Sequence, residues 1–239
     1  MSGDFFRALA ARAARRYPHA DPFARHFAHG KLTRDPVFRH VLEGGFFAPG
    51  SRILDLGCGQ GLLAALLAEA CETHARGEWP AQWPAPPAGF AIDGVDLAGR
   101  DIERARIAAG AGAHFVRGDI RSVEFGRTDA VALFDVLHYL DPEGQRDVIA
   151  RTRASLGPGG VLLLRIADAS RSLRFLFTVA VDRASMRLRG HRLGRFHTRS
   201  AGEWMHELAA LGFDAQAMPM SKGTGFANVL LVARCSRTA

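Results

Sequence analysis

The run Asp55-Leu56-Gly57-Cys58-Gly59-Gln60-Gly61 sets one carboxylate just ahead of three alternating glycines. Glycines at that spacing let a backbone bend tightly and come close to a ligand, which a Cβ would forbid. The carboxylate of Asp55 would face that ligand, repelling a phosphate and suiting a cation. A dinucleotide fingerprint needs a glycine at the sixth turn position, and Leu62 stands there instead. A second acid, Asp96, can accept hydrogen bonds from two neighbouring hydroxyls. His138, with His26, His29, His191 and His197, belongs to the few groups able to take a proton from a hydroxyl near neutral pH. Tyr139 is a candidate substrate contact. These residue types describe a site for a cationic, hydroxyl-bearing ligand with an optional proton acceptor.

The elements that must position these residues follow from local patterns. Ile53, Leu54 and Leu56 predict a buried strand running into the glycine turn, and Leu62 to Cys71 predicts a helix packed on a sheet. Ala91 to Asp96 reads as the second strand, with Asp93 a distant rival to Asp96 because it lies deeper in the strand. A helix follows over Gly99 to Ala109. His114 to Val116 and Thr128 to Phe134 are the third and fourth strands. Asp141-Pro142-Glu143 opens a helix to Leu156, Gly157 to Gly160 turns the chain, and Val161 to Ile166 is a fifth strand apolar enough to be buried on both faces. Ser200-Ala201-Gly202-Glu203 is a capping box for a helix through Leu211. Phe213 to Met218 and Ala227 to Ala233 form a closing antiparallel hairpin.

At this point the chain resembles the class I S-adenosylmethionine-dependent methyltransferases, on Leu54-Asp55-Leu56-Gly57-Cys58-Gly59-Gln60-Gly61, Gly94-Val95-Asp96-Leu97, Arg117-Gly118-Asp119-Ile120 and the antiparallel last strand. S-adenosylmethionine carries a sulfonium and an ammonium, the cationic groups that Asp55 suits. The resemblance implies a Rossmann-like α/β fold: a seven-stranded, mostly parallel sheet with an antiparallel last strand and helices on both faces. It implies cofactor contacts at Asp55, Gly57, Cys58, Gly59, Gly61, Asp96, Leu97, Asp119, Ile120, Phe134 and Asp135. In these contacts Asp96 would hold the ribose, Asp119 the adenine amino group and Asp55 the methionyl amino end. The segment Asp135-Val136-Leu137-His138-Tyr139 would lie beside the sulfonium and the acceptor, making His138 the leading base. The product would be S-adenosylhomocysteine. A fainter resemblance, through Gly30-Lys31-Leu32 and Asp35-Pro36-Val37-Phe38, is to methyltransferases of bacterial aryl polyene pigment pathways, which points to an aryl acceptor.

The chain has 239 residues, 48% of them hydrophobic, enough for one sizeable α/β domain with decorations. Residues 1–45 are expected to form an N-terminal helical cap of three short helices, with Asp21-Pro22 and Asp35-Pro36 as starts and Gly30 and Gly44 as stops. Residues 46–239 then form the methyltransferase domain. Two insertions interrupt it. Residues 76–89 hold four prolines and two tryptophans, Trp79 and Trp83, and are expected to pack on the surface. Residues 168–199 hold eight arginines against two acids, with helical spacing over Ser170 to Leu188. The cap and this basic insertion, bearing Phe27, His29, Phe175, His191 and His197, could form a roof over the acceptor.

The formal net charge is +7, almost wholly from arginine, which favours an anionic partner such as an acidic carrier protein, a phosphorylated substrate or nucleic acid. Nucleic acid is the least favoured, since the fourth-strand exit does not resemble the Asn/Asp-Pro-Pro-Tyr/Phe motif of base methylases and no aromatic-basic repeat occurs. A small-molecule acceptor, aromatic or carrier-bound, is the expectation. A non-catalytic S-adenosylmethionine-binding scaffold with a basic docking face stays open beside it. Cys58, Cys71 and Cys235 lie far apart, giving no zinc or disulfide pattern and pointing to a reducing cytoplasm. No run is apolar enough to span a membrane.

Overall fold

The computed structural model describes residues 2–110, 112–169, 196–221 and 227–236. The helix expected over Ser170 to Leu188, with Phe175 and His191, lies outside them. Seven strands take the order β3-β2-β1-β4-β5-β7-β6, where β1 is Arg52–Leu56, β2 Ala91–Asp96, β3 Ala113–Arg117, β4 Thr128–Phe134, β5 Leu156–Ala167, β6 Phe213–Pro219 and β7 Asn228–Cys235. β7 is the antiparallel strand, paired with β5 from Val161↔Arg234 to Ala167↔Asn228 and with β6 from Phe213↔Cys235 to Pro219↔Val229. This is the Rossmann-like α/β sheet that the sequence led us to expect. The chain divides into two compact units, residues 1–130 and 131–239.

In the first unit β1 pairs in parallel with β2, and β2 with β3, so Asp55 lies opposite Gly94 and Asp96 opposite Arg117. Four helices precede or follow β1: α1 (Ser2–Arg15), α2 (Pro22–Arg34), α3 (Pro36–Gly44) and α4 (Leu62–Ala75); α5 (Gly99–Ala109) follows β2. Asp21 and Asp35 cap α2 and α3 as their sequence positions require, each accepting a backbone N–H of the first turn. Gly30 does not stop α2. The helix runs through it to Arg34, because the true stop is Asp35, held in extended backbone by the proline that follows it.

α4 is longer than the sequence signal, and its residues Leu62 to Leu67 are all buried. A helix apolar on every side needs cover on every side, and α1 supplies part of it. Arg12 Nε donates to Glu69 over 2.8 Å and Arg16 Nη1 to Glu72 over 3.0 Å. Each buried leucine there is worth about 1.5 to 3 kcal/mol. The insertion after α4 contains neither helix nor strand. Trp79 and Trp83 pack edge-on to Phe5 of α1 at 5.6 and 5.4 Å, so packing accounts for both rings.

The second unit holds α6 (Pro142–Ser155), capped by Asp141, and α7 (Ala201–Ala210), whose capping box of Ser200 and Glu203 is complete. β5 starts earlier than its apolar run. Leu156 is already extended as α6 ends, so the expected turn at Gly157 to Gly160 falls inside the strand's range, with Gly159 bending the backbone at φ 74°.

Candidate active site

In the first unit the glycine turn is bound to the end of β2. Gly57 and Cys58 donate to the Val95 carbonyl at 2.8 and 3.1 Å. Gly59 donates to Oδ2 of Asp96 over 2.8 Å, while Oδ1 of Asp96 accepts from Ala98 over 2.8 Å. Both carboxylate oxygens are therefore fixed in direction, each keeping a further lone pair for a hydroxyl. Gly61 has φ 74°, and a Cβ there would meet the Ala105 methyl at 2.8 Å. The packing of α4's start against α5 forbids a side chain at that point.

Asp55 is 4% exposed. Burial, followed by the charge of Asp96, pushes its carboxyl up to about 7. The same two carboxylates and its own burial push the Cys58 thiol well above the usual thiol range, so it stays an uncharged wall. A buried acid poised near neutrality beside a second acid is a place where a cation would be stabilised.

Two residues of this unit escaped the motif. Gln60, in the middle of the glycine turn, is 3% exposed and donates from Nε2 to the Ala24 carbonyl of α2 over 2.9 Å. Tyr17, fully buried, donates its hydroxyl to the Gln60 carbonyl over 2.8 Å. The helices before β1 thus hold the turn from behind. His26 and His29, candidate proton acceptors from the sequence, are exposed.

Asp119 follows β3 but is turned into its own loop. Arg121 engages both of its oxygens through Nε at 3.0 Å and adds its backbone N–H at 2.9 Å. The Arg121 hydrogen bond holds the carboxyl below the ordinary range. Ile120 beside it is buried, whereas Leu97 is 59% exposed.

In the second unit Asp135 ends β4 with φ 60°, and it is the one non-glycine residue with positive φ among the described residues. Arg165 of β5, 1% exposed, donates from Nε to Oδ1 of Asp135 over 2.8 Å and from Nη2 to Oδ2. Its guanidinium carbon also lies 5.9 Å from the centre of the Phe134 ring. Nothing in the motif reading had singled out Arg165; a lone arginine in an otherwise apolar strand was the available signal, since a buried guanidinium needs an acid.

A short 3₁₀ turn, Leu137–Tyr139, carries His138 and Tyr139. His138 is buried, and burial pulls its imidazole down to about 4, with Arg165 adding to the effect and Asp135 opposing it. It stacks on Phe196 at 5.4 Å and touches Tyr139 at 4.1 Å, while Tyr139 stays 41% exposed. Gln145 of α6 pins the turn by donating to the carbonyls of Leu137, Leu140 and His197. Among the described residues no cluster of His, Cys, Asp or Glu is placed to hold a metal ion, and no helix is long and apolar enough to cross a membrane.

Comparison with known proteins accords with this geometry. Residues 7–217 match the methyltransferase domain family. The chain belongs to that family and has the fold and motifs of class I, S-adenosylmethionine-dependent methyltransferases. A curated relative is the carboxy-S-adenosyl-L-methionine synthase of Chromohalobacter salexigens, 35% identical over 120 residues that make up 48% of this chain and 39% of that protein. The match thus spans about half or less of the length of the curated relatives, from 39% to 51%. Among solved structures, magnesium protoporphyrin IX methyltransferase of Synechocystis, crystallised with S-adenosylhomocysteine, superposes with a TM-score of 0.59 at 20% identity, over 98% of this chain and 97% of that one. An O-methyltransferase family protein of Burkholderia thailandensis gives 0.58 at 22% identity, over 95% and 67%. At these identities the structures speak for the fold alone.

Proposed function

We propose that the chain binds S-adenosylmethionine through the glycine turn and Asp96 and transfers the methyl group to a small, aromatic acceptor. The observation that carries the reading is the Asp96 carboxylate, fixed by Gly59 and Ala98 at the mouth of the glycine turn with lone pairs to spare for a ribose diol. Asp55 supplies the complement to the cationic methionyl end. The solved relative crystallised with S-adenosylhomocysteine supports the cofactor class.

Methyl transfer from a sulfonium is an in-line displacement, and alignment of nucleophile, methyl and sulfur can provide most of the acceleration. Tyr139, Phe196 and His138 make a cluster of rings suited to stack an aromatic acceptor. In this reading His138 is a wall of the acceptor site. Its imidazole is neutral at pH 7 but too weakly basic to draw a proton efficiently from a hydroxyl. Asp119 meets the adenine amino group only by sharing its oxygens with Arg121.

A second reading is favoured by the curated relatives, whose name makes carboxy-S-adenosyl-L-methionine their product. There the bound cofactor would itself be the molecule altered. Incubating the protein with S-adenosylmethionine and a panel of phenols, catechols, aromatic carboxylates and amines, and separately with carboxylic acids that decarboxylate readily as carboxyl donors, followed by mass spectrometry, separates the two. A methylated acceptor with S-adenosylhomocysteine supports the first reading, and a carboxylated cofactor overturns it.

A further inference from the structure

The second unit contains a small hollow whose lining includes His138, Arg165, His197, Thr198, Arg199 and Trp204. Its polar lining is unusual in sign. Two guanidiniums reach it, and the acids that meet them are already committed: Asp135 to Arg165, and Glu207 to Nη2 of Arg199 over 2.9 Å. Arg199 sits over Trp204, its guanidinium carbon 4.5 Å from the ring centre, a cation–π contact. One edge of that fork is served by Glu207. Nη1 is buried and meets no hydrogen-bond acceptor among the described residues. A buried N–H of a charged group without an acceptor is costly, and hydrogen bonds to charged groups are the stronger kind.

We propose that this hollow is an anion subsite for a carboxylate carried by the acceptor, with Nη1 of Arg199 as its principal donor. The proposal rests on the reading of the Tyr139, Phe196 and His138 rings as the acceptor side and adds the substrate's chemical class. Four features carry it together. The hollow has room for about one water-sized group, the scale of a single carboxylate oxygen, and leaves no room for a ring. Nη1 of Arg199 is a charged donor that meets no acceptor among the described residues. Arg165 holds the Asp135 carboxylate, so that acid's charge is compensated and does not repel an anion. The rings of Tyr139 and Phe196 sit beside His138, which itself lines the hollow, so an aryl group stacked there could direct its carboxylate inward. Thr198 and His197 stand at the same lining to complete the anion's hydrogen bonds. The recognised molecule is then an aromatic carboxylic acid, and the neutral amide of the same shape should be refused.

The test uses the full chain saturated with S-adenosylhomocysteine, with benzoate as probe and benzamide as its neutral counterpart. Calorimetric or Trp-fluorescence titration is expected to show saturable benzoate binding, tighter than benzamide by about tenfold or more, the worth of one charged hydrogen bond. Arg199→Gln should abolish that preference while leaving affinity for S-adenosylhomocysteine intact. Because Arg199→Gln also deprives Glu207 of its partner, a second variant guards against misfolding. Glu207→Gln removes the competing carboxylate and should raise benzoate affinity, whereas a purely structural Arg199–Glu207 pair predicts no rise. Equal binding of benzoate and benzamide, or a preference that survives in folded Arg199→Gln, overturns the subsite. Failure of the wild-type chain to bind S-adenosylhomocysteine at all would strike the proposed function instead, so the two failures are read separately.

Discussion

The Tyr17 hydroxyl donates to the backbone carbonyl of Gln60 over 2.8 Å, tying the end of the first helical segment to the centre of the glycine turn. With Gln60 Nε2 bound to the Ala24 carbonyl, the turn is held by residues on both sides of the α1–α2 connection. Tyr17→Phe keeps the ring and removes only the donor. A neutral buried hydrogen bond is worth about 0.5 to 1.5 kcal/mol, so S-adenosylhomocysteine affinity should fall severalfold while the thermal midpoint drops by a few degrees. Calorimetry on the variant checks this; unchanged affinity would mean that the helices cover the turn without shaping it.

Asp55 gives the cofactor site a pH dependence. Its carboxyl is near 7 in the folded chain and about 3.9 when unfolded, so the native state binds more protons between those values. Its contribution to stability is fully present below the unfolded value and is lost as pH rises through about 7. Asp55→Asn should therefore stabilise the ligand-free protein at pH 8. A cationic cofactor needs the ionised form, so S-adenosylmethionine affinity in the wild type should strengthen from pH 6 to pH 8 and level off, and this slope should vanish in Asp55→Asn. A pH-independent affinity in the wild type would remove Asp55 from the cofactor's cationic end.

His138 runs the opposite way. Its folded pKa, about 4, is depressed below the ordinary histidine range, so the stability it contributes is present above that range and is lost as pH falls through about 4. On turnover, no inflection assignable to it is expected between pH 6 and 8. His138→Asn should cost less than about tenfold in kcat, whereas a general base contributes about a hundredfold or more. A loss of that size, with cofactor affinity unchanged, would make His138 the proton acceptor after all.

In the Asp135–Arg165 pair the arginine is buried, 1% exposed, while the Asp135 side chain is 29% exposed. Asp135→Asn tolerates the left-handed backbone at φ 60° but leaves the guanidinium charge without its carboxylate. Breaking a buried pair from one side costs about 3 kcal/mol or more. Arg165→Met added to Asp135→Asn should recover much of that loss in urea denaturation. Simple additivity of the two changes would show that the pair is not coupled.

How far the sequence led can be followed residue by residue. The strand ends bearing Asp55 and Asp96, and the turn at Gly57, Gly59 and Gly61, were legible because alternating apolar residues, glycines and caps are local signals with a fixed period. The hairpin partner strands and the capping box at Ser200 and Glu203 were legible for the same reason. Arg165 was not, since a single arginine in Val161 to Ile166 does not disturb the apolar pattern and its partner lies thirty positions away. Tyr17 and Gln60 meet through a backbone carbonyl, which has no sequence signature. Asp119 was assigned to the adenine amino group by resemblance, and its engagement by Arg121, two residues on, was not legible because the motif does not include that arginine. Gly30 misled because a glycine inside a helix costs only about 1 kcal/mol, less than the cap at Asp35 and the neighbouring Leu32 burial return.

The account stands or falls on the first unit's cofactor site, and the most direct measurement is titration calorimetry of S-adenosylhomocysteine into the wild-type chain and Asp96→Ala. The substitution removes an acceptor for a hydroxyl pair and frees Gly59 and Ala98 of their shared anchor. The account predicts saturable binding by the wild type and a loss of roughly ten- to a hundredfold in the variant, the range for hydrogen bonds to a charged group. No binding by the folded wild type, or equal affinity in a folded Asp96→Ala, would contradict it.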